Sequence, residues 1–382
     1  MSSINITIKN KLERLSLKGI NFGNLKYTVK NLAEKLLKEK ILLITKDRAN
    51  NSSFVSIGSI KPLARYKYLY LGRAAHVRYL LKISFNTRKL LPYLLNKTGL
   101  VVIKDSGLVD ILREQVVMQP SFIDLEISLP DTFEDYYKTL TGARADVRKI
   151  KKNGYTSTIS KEPGWVDKFF DHYYVPSMRG RHAEEAYIMP RHEIMALIKQ
   201  PGAEFLDIFS NGQCVASTLC KADGVKYYYL RVGWLNGDDS LLAAGATAAI
   251  YWFLIQRAYE LGCKSISLGG TPPYLENGVL KYKAKWQARF CPDVFYVENY
   301  LLLDPSNPVC YQFLHDTSLV VFGLKNSLIV LSSKLSTDLS MPGIILNDIE
   351  SWFLLRPQRS EFYPAGMEDL PEHLRYWYQK IP

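Results

Sequence analysis

The sequence predicts a mixed α/β protein, because strand-like and helix-like segments alternate along most of its 382 residues. The clearest evidence is a run of three strands, Glu204–Phe209, Gln213–Lys221 and Val225–Val232. They are separated by Asn211-Gly212 and Asp223-Gly224, and such pairs supply the positive φ angles that tight hairpin turns need. We therefore expect three consecutive antiparallel strands in this part of the chain.

An apolar helix is predicted after these strands. It begins near Ser240 and ends at Gly262, a residue type that is common just beyond helix C-termini. Its first turns are built mainly from alanine and glycine, between Ala243 and Ala249. Two interpretations remain open: the free N–H groups of the helix start bind a phosphate, or the small residues pack the helix tightly on a sheet. A short strand, Lys264–Leu268, follows.

The first 120 residues predict a separate mixed α/β domain in which we find no motif that carries chemistry. Its helices are expected at residues 24–40, 89–98 and 106–114, and its strands at 41–45, 65–72, 80–85 and 100–104. Both kinds of segment follow from the spacing of their apolar residues.

Between residues 121 and 201 we expect a strand at Ser121–Leu129, a helix at Phe133–Leu140, a basic helix ending at Gly154, a strand at Tyr155–Ser160, an aromatic helix at Val166–Tyr174 and a helix that closes at Lys199. Proline disrupts helix interiors, so the aromatic helix should break near Pro176 and lead into a loop. The face of the basic helix is either solvated or binds anions.

Charge is distributed unevenly along the chain, whose net charge is +12. Residues 1–104 hold 21 lysines and arginines against four acids, a net +17, which leaves −5 for the remainder. This segment is either a solvated basic surface or a surface for a polyanion, RNA or an anionic membrane. It carries no RNA-binding signature of the RRM or KH type.

The five cysteines show no metal-ligand spacing, the first ten residues lack the apolar core of a signal peptide, and the most lipid-like stretch, Ser318–Ser333, is short. We therefore expect a cytoplasmic protein with reduced thiols, no metal site and no membrane-spanning helix. Peripheral contact with the inner face of the membrane remains open.

Several segments recur together in a familiar order over about residues 120–300. They are the basic helix ending Lys152-Asn153-Gly154-Tyr155, the aromatic helix running into Met178-Arg179-Gly180-Arg181, the three hairpin strands, Ser267-Leu268-Gly269-Gly270, and Tyr282-Lys283-Ala284-Lys285-Trp286. This order resembles the FemAB-like branch of the GNAT acyltransferase superfamily, which includes the BioF-type acetyltransferase-like domains.

The chain departs from the family pattern at three positions. The last two segments read approximately Asp-Phe-Gly-Gly and Phe-Lys-x-x-Trp/Phe-Gly in that branch, so Ser267 replaces an acid and Gln287 replaces a glycine. In the pyrophosphate loop of the superfamily, Leu242 stands where a polar residue is expected. The change at Ser267 bears on acid–base chemistry, and the change at Leu242 bears on CoA binding.

The resemblance implies two tandem GNAT-like domains. Residues 1–120 would be a diverged, basic first copy, residues 121–303 the acyltransferase domain, and residues 304–382 a C-terminal extension rich in aromatic residues and helical in character. For this extension three roles remain open: a cap over the acceptor, a dimer contact, or a surface that lies on a membrane.

The resemblance also implies an N-acyltransferase that moves an acyl group from acyl-CoA or an acyl carrier protein to an amine. The acceptor would be a small molecule, such as an amino sugar or amino acid, or an envelope precursor. No Ser/His/Asp or Cys/His set is evident, which favours direct attack over a covalent enzyme intermediate. The catalytic candidates are Lys283 and Tyr228; the cation of Lys283 would stabilise the oxyanion or the phosphates of the donor. Alternatively, Lys283 is one of three solvent-facing lysines on a short helix.

The remaining candidates follow from their places in the same pattern. Residues expected to contact the phosphates of the donor are Gly245, Ala246 and Thr247. Those expected to contact the acceptor are Arg179, Arg181, His182, Tyr229 and Arg231, because arginine suits carboxylates and phosphates and histidine titrates near neutral pH. Strand alternation places Tyr227, Tyr229 and Arg231 on one face and Tyr228 on the other.

Two other functions remain open at this point. The donor could be an aminoacyl-tRNA, as in the peptidoglycan cross-bridge enzymes of the family, and the basic first segment favours this. Alternatively, the chain is an inactive GNAT-like scaffold that binds an anionic partner, which the departures at Leu242, Ser267 and Gln287 favour.

Overall fold

The computed structural model describes residues 42–46, 53–57, 76–80, 95–96, 98–103, 112, 114–182, 188–291, 297–323, 327–335, 343–362 and 365–381. The chain divides into two compact units, residues 1–113 and 114–382. The predicted mixed α/β class is confirmed, since both units contain strands and the second combines them with helices.

The described part of the first unit contains four strands: β1 (Leu42–Lys46), β2 (Ser53–Ile57), β3 (His76–Leu80) and β4 (Leu100–Ile103). β1 pairs antiparallel with β2 and β3, and β2 pairs parallel with β4. The strands predicted at residues 41–45 and 100–104 are confirmed. Of the strand predicted at 80–85, only Leu80, the last residue of β3, is described. The helix predicted at 24–40 and most residues of the helices predicted at 89–98 and 106–114 lie outside the described residues. The strand predicted at 65–72 lies outside the described residues.

The first half of the second unit contains β5 (Val117–Pro120), β6 (Ile123–Ser128), α1 (Phe133–Thr139), α2 (Arg144–Lys152), β7 (Thr156–Ser160), α3 (Trp165–Lys168), a π-helix (Phe169–Tyr174), α4 (Val175–His182), α5 (Arg191–Ile198), β8 (Ala203–Ser210), β9 (Gln213–Asp223) and β10 (Lys226–Trp234). The second half contains a 3-10 turn (Leu235–Gly237), α6 (Asp239–Ala244), α7 (Ala246–Glu260), β11 (Ser265–Thr271), α8 (Gly278–Lys285), β12 (Arg289–Phe290), β13 (Val297–Leu303), α9 (Pro308–Asp316), β14 (Leu319–Phe322), β15 (Leu328–Ser332), α10 (Gly343–Leu346), β16 (Ser351–Leu355), α11 (Glu372–Arg375) and β17 (Tyr378–Ile381).

A seven-stranded sheet in the order β12-β6-β11-β10-β9-β8-β7 forms the centre of this unit. The three predicted hairpin strands are confirmed as β8, β9 and β10, with Asn211 at φ 50° and Gly212 at φ 75° in the first turn. α7 then crosses over so that β11 runs parallel to β10, since parallel neighbours need such a connection.

Each face of this sheet carries its own apolar cluster. On one face, α7 packs over inward side chains such as Ile127, Tyr227 and Ile266. On the other face, the π-helix region packs over Phe205 and Leu219. The alternation of the strands therefore separates two sides with different chemistry, and the site residues must be assigned to one or the other.

The aromatic helix does not break at Pro176, which corrects the sequence prediction. Helical structure continues from Trp165 to His182 because a π-helix precedes the proline, and the N–H of Val175 reaches back to the carbonyl of Phe170. A wider turn makes room for the ring, and proline has no N–H to leave unpaired. The segment predicted as a loop is therefore the end of a helix.

The apolar helix predicted from Ser240 to Leu261 is two helices. Gly245 adopts φ +103° between α6 and α7, a conformation that glycine adopts without steric cost. The small-residue turn is thus a junction, and the first turn of α7 begins at Ala246.

The C-terminal residues contribute strands as well as helices, which corrects the expectation of a mainly helical extension. β14 to β17 join β5 and β13 in a second sheet of this unit, in the order β17-β16-β15-β14-β5-β13. β14 and β15 are buried along their whole length, and such strands read as continuous apolar runs that periodicity cannot distinguish from a helix.

Two carboxylates connect this second sheet to the first. Glu276 accepts hydrogen bonds from the backbone N–H of Ser318 at 2.7 Å and from its hydroxyl at 2.8 Å. Asp348 accepts from Arg289 Nε and from the backbone N–H of Phe290, both at 2.9 Å. The loop before α8 and the strand after it are therefore both held by the C-terminal part of the chain. Among the described residues, no helix is long and apolar enough to cross a bilayer.

Candidate functional site

The parallel strands β10 and β11 part from each other near the centre of the sheet. Their pairing covers only Lys226 to Tyr228 on β10 and Ser265 to Ser267 on β11. Both strands continue, to Trp234 and Thr271 respectively. Beyond Tyr228 and Ser267, the edges that face each other are no longer joined by strand pairing. Of the residues that the sequence predicts to act in the site, Tyr228 stands at the last pair, and Tyr229 and Arg231 follow it on β10.

Irregular pairing on the far side of each strand accompanies the separation. β10 shifts its register against β9 between Tyr229 and Arg231, and β11 shifts against β6 between Ser267 and Gly270. Gly269, inside the second irregularity, has φ +65°. Bulges bend the strand that contains them, so both walls of the parting curve at the same level.

The tyrosines of β10 alternate as predicted. Tyr227 is fully buried on the α7 face and donates to Glu204 Oε1 at 2.9 Å. Tyr229 lies on the same face, where its ring centroid is 5.8 Å from that of Tyr251 in α7. Tyr228 pairs with Ser267 and points to the opposite face. The catalytic candidate Tyr228 and the acceptor candidate Tyr229 therefore lie on different sides of the sheet.

Arg231 does not share the face of Tyr227 and Tyr229, which corrects the sequence prediction. Tyr229 pairs with Cys220 of the α7-side cluster, but after the bulge Arg231 pairs with Leu219 of the other cluster. Side chains of directly paired residues share a face. One extra residue in β10 therefore moves Arg231 to the side of the π-helix.

Lys283 of α8 is buried, with 4% of its surface exposed, so it is not one of three solvent-facing lysines. Its Nζ donates to the carbonyl oxygens of Gly269 at 2.9 Å and Gly270 at 3.1 Å, and to Thr271 Oγ1 at 3.1 Å. All three acceptors belong to β11. Lys283 thus fixes the end of the strand that forms one wall of the parting.

Burial lowers the pKa of Lys283 to about 7 from an ordinary value of 10.5, and the negative charge of Asp124 opposes this. Burial removes water from an ammonium group and so favours its neutral form. The residue consequently exchanges its proton close to neutral pH, where most lysines stay charged.

Asp124 is a site residue that the sequence analysis missed. It lies on β6, pairs with Gly270, and its Oδ1 would be 3.3 Å from a β-carbon at that glycine. Burial raises its pKa, which the charge of Lys283 counteracts. The alternation of Ile123, Leu125 and Ile127 predicts that the residues between them lie on the opposite face of the strand. A carboxylate at position 124 of a strand inside the sheet could therefore have been recognised as a candidate site residue.

An aromatic group on α7 and α8 lies beside Tyr229. The ring centroid of Tyr251 is 5.3 Å from that of Tyr282 and 5.6 Å from that of Trp286. Trp286 is fully buried, and its carbonyl accepts from the hydroxyl of Tyr136 at 2.7 Å. The family-like tryptophan therefore anchors α8, which carries Lys283, to α7 and α1.

The basic acceptor candidates lie on α4, on the other side of the sheet. Arg179 is exposed, and Arg181 and His182 form the end of that helix; the structure describes only their backbone. α4 is fixed to β10 through Ser177, which is buried and bonded to the backbone of Trp234. Of the acceptor candidates, Arg179 and Arg231 thus share one side and Tyr229 lies on the other. Their proposed roles stay predictions.

The donor candidates stand at the start of α7, under the basic helix α2. Gly245 and Ala246 are buried, and the aliphatic chain of Lys149 passes within 3.5–3.8 Å of the β-position of Gly245. The Nζ of Lys149 donates to the carbonyl of Ala243. The hydroxyl of Thr247 is buried and, among the described residues, makes no hydrogen bond. Contact of these residues with phosphate stays a prediction.

A cleft of about 410 Å³ opens at the C-terminal end of α8. Its lining residues are Thr139, Thr141, Gly142, Ala284, Lys285, Gln287 and Gly343. None of the predicted site residues lines it. In the described part of the chain, no cluster of three or more His, Cys, Asp or Glu residues could hold a metal ion.

Comparison with known proteins gives no matching family model and no matching curated protein. Solved structures with a similar chain path include FemX, with 12% identity, 70% of this chain and 85% of that chain covered, and a TM-score of 0.36. L-PGS from Bacillus licheniformis has 15% identity, coverages of 73% and 88%, and a TM-score of 0.34.

A GCN5-related N-acetyltransferase from Sphaerobacter thermophilus has 11% identity, coverages of 68% and 74%, and a TM-score of 0.31. The names of these structures agree with the resemblance stated from the sequence. With identities below 25% and TM-scores below 0.5, these likenesses carry no argument about activity, substrates or partners.

Proposed function

We propose that this chain is an N-acyltransferase that transfers an acyl group from a thioester to an amine in the parting between β10 and β11. The observation that supports this most strongly is the combination of two strands that separate after three residue pairs with a buried Lys283 bonded to one of them. Irregular backbone and buried ionisable groups of this kind cluster at functional sites, which is why the combination supports the proposal.

In the proposed reaction the neutral amine nitrogen attacks the carbonyl carbon of the thioester. A C–N bond forms, and the C–S bond breaks as the tetrahedral intermediate collapses. The proton lost by the nitrogen is balanced by the one that the leaving thiolate takes up, so an amide and a free thiol result. No covalent enzyme intermediate is required, consistent with the lack of a nucleophile–base pair in the sequence analysis.

The separated strands would hold the donor through their backbone. Between Tyr228 and Trp234 on one side, and between Ser267 and Thr271 on the other, peptide groups face each other without pairing between the two strands. Peptide N–H and C=O groups require partners, and an extended thioester arm that contains amides can supply them. Its carbonyl would then lie at a fixed depth, next to the bulge at Gly269.

Lys283 would act through its charge. Its Nζ is held within 3.1 Å of three β11 acceptors and is almost free of water contact. A positive charge in such a place stabilises a developing oxyanion far more than one in bulk water. Tyr228 would act from the face of β10 that lies opposite Tyr227 and Tyr229. The negative charge of the half-buried Asp124 would help to keep the ammonium group of Lys283 protonated.

The test is the rate of thiol release from a panel of acyl-pantetheine thioesters with an amine panel as acceptors. We expect Lys283→Met to lose at least about 100-fold in kcat, the size of effect seen when one oxyanion-stabilising group is removed. Lys281→Met, on the same helix, is the matched control and should retain its rate. Thermal unfolding of both variants confirms that they fold. Undiminished transfer by Lys283→Met would show that the assigned role is wrong.

A second candidate retains the fold and replaces the donor by an aminoacyl-tRNA. Its support is the net charge of +17 in residues 1–104. If it is correct, tRNA binds at low salt, the affinity falls steeply as salt is raised, and neutralising lysines and arginines of that segment abolishes it. An inactive scaffold could bind tRNA but would consume neither donor, so transfer of the aminoacyl group from aminoacyl-tRNA to an amine, measured beside thiol release, separates all three functions.

A further inference from the structure

The outer face of α2 carries a row of cations. Arg144, Arg148, Lys151 and Lys152 are exposed, while Val147 and Ile150 on the opposite side of the helix are buried. Within the part of the chain that the structure describes, none of these four cations forms an ion pair. From Arg144 to Lys152 the row extends for about 12 Å at 1.5 Å per residue.

The acid on this helix does not offset the row. Asp146 is half-buried, and its carboxylate lies 2.6 Å from Nζ of Lys285 on α8. Its charge is therefore already matched by another element. The outer face of α2 therefore remains strongly positive, although residues 105–382 together carry a net negative charge.

α2 is attached rigidly to the beginning of α7. Lys149 donates to the carbonyl of Ala243, and Asn153 Nδ2 donates to that of Ala244 at 2.9 Å. These two carbonyls end α6, directly before the junction at Gly245. Tyr251, which contacts Tyr229 of β10, follows Ala246 by five residues, about 7.5 Å along the helix axis. The basic row is therefore fixed close to the parting between the strands.

The same attachment covers the place where a nucleotide diphosphate would bind. Gly245 and Ala246 are buried, and the chain of Lys149 lies across the glycine. Leu242 replaces the polar residue that the resemblance leads one to expect there. A diphosphate could reach the N–H groups of the first turn of α7 only after Lys149 had moved away and Ala243 had lost its hydrogen bond. The neighbouring cations of α2 need no such rearrangement.

We propose that this basic row binds an acidic carrier protein, which presents the acyl thioester on a phosphopantetheine arm to the parting between β10 and β11. The inference rests on the proposed function and names its donor. A carrier domain with an acidic helix matches a linear set of exposed cations on a helix. Its phosphopantetheine arm carries only one phosphodiester, so the enzyme needs no binding site for a diphosphate. Such charge pairing mainly accelerates association and fixes register, and it weakens with salt.

The experiment compares one acyl group on three donors: an acyl carrier protein, CoA and pantetheine. In Arg148→Glu/Lys152→Glu we expect KM for the carrier-bound donor to rise about tenfold or more, with kcat and the rate with acyl-pantetheine retained. Lys199→Glu/Lys264→Glu, which reverses two exposed lysines elsewhere in the unit, is the matched control and should behave as the unaltered protein. Raising the salt concentration should increase KM for the carrier-bound donor in the unaltered protein and have less effect in the charge-reversed variant.

Several outcomes would overturn the inference. One is an unchanged KM for the carrier-bound donor, and another is an equal loss with acyl-pantetheine. A third is preferential use of acyl-CoA over the carrier-bound form, and a fourth is tRNA binding that the same pair of substitutions abolishes. Turnover of acyl-pantetheine without preference for the carrier would remove this inference alone, whereas a protein that consumes none of the three donors would remove the proposed acyltransferase function as well.

Discussion

The hydroxyl of Ser177 closes a two-way bridge to the backbone of Trp234: it accepts from the N–H at 2.9 Å and donates to the carbonyl at 3.2 Å. Ser177 is 3% exposed and lies on α4, whereas Trp234 ends β10. This single side chain thus fixes the helix that carries the basic acceptor candidates to the strand that forms one wall of the parting.

Ser177→Ala should lower the free energy of unfolding by about 1–3 kcal/mol. The substitution removes the hydroxyl that bonds both the N–H and the carbonyl of Trp234, and losing hydrogen bonds at buried backbone groups is costly. Urea unfolding followed by circular dichroism measures the loss. Ser240→Ala, at an exposed position in α6, should change the free energy by less than about 0.5 kcal/mol, and an equal effect of the two would contradict the proposed bridge.

Gly233→Ala should be more damaging, because the π-helix crosses β10 at this glycine with no room for a side chain. A β-carbon there would lie 2.2 Å from the carbonyl carbon of Tyr173, which is backbone and cannot turn aside. We expect a loss of about 3 kcal/mol or more, or failure to fold.

Gly180→Ala is the matched control for Gly233→Ala. Gly180 is in α4, and a β-carbon there meets nothing within 4 Å. Alanine is favoured over glycine in a helix by about 1 kcal/mol, so the melting temperature should rise slightly. Thermal unfolding of the two variants side by side tests the close approach of the π-helix.

Arg257→Ala should cost about 3–5 kcal/mol in stability. Glu204 is 1% exposed and accepts hydrogen bonds from Arg257 Nε at 2.8 Å and Nη2 at 2.9 Å. Removing the arginine leaves a buried carboxylate without its main compensating charge. Lys161→Ala is the control, because its Nζ is 3.7 Å from Glu204 and the side chain is 63% exposed; a loss of at most about 1 kcal/mol is expected.

The contribution of Arg257 should also depend on pH. Burial raises the pKa of Glu204, but hydrogen bonds from Arg257 and Tyr227 outweigh this and hold it below its ordinary 4.5. A carboxylate with a lowered pKa stabilises the fold above its unfolded pKa and loses that effect as pH falls through the folded one. The gap in stability between the unaltered protein and Arg257→Ala should therefore be widest near neutrality and shrink as the pH falls towards and below 4.5, because burial without Arg257 favours the protonated carboxyl in the variant.

Lys283 should make stability rise with pH on the alkaline side. Because burial lowers its pKa to about 7, the unfolded chain binds more protons at this residue than the folded one between pH 7 and 10.5, and stability then increases with pH. Urea unfolding at pH 7 and pH 9 should show this gain in the unaltered protein and not in Lys283→Met. Titration of other groups cancels in the comparison, so an identical gain in both proteins would speak against a lowered pKa.

Local sequence rules predicted those features that depend on neighbouring residues. Asn211-Gly212 and Asp223-Gly224 correctly marked the turns between β8, β9 and β10, because the requirement for positive φ acts within two residues. The alternation of Tyr227, Tyr228 and Tyr229 likewise assigned each ring to the correct face of the sheet.

The features that were missed depend on one extra residue or on distant partners. The bulge after Tyr229 moves Arg231 to the other face of the sheet, and the π-helix before Pro176 allows the helical segment to continue past the proline. Lys281, Lys283 and Lys285 look equivalent along the chain, and only the position of the Gly269 and Gly270 carbonyls decides that Lys283 is the buried one. No window of sequence around these residues contains that information.

The two carboxylate clamps of Glu276 and Asp348 have a practical consequence for how the protein can be dissected. Both reach between the central sheet and residues beyond Leu303, so an expression fragment cut at that point would lose Ser318 from one clamp and Asp348 from the other. The segments on either side of α8 would then lose their supports. If such a fragment lost transfer activity, the cause would be a displaced Lys283, and the loss would not show that the removed residues bind substrate.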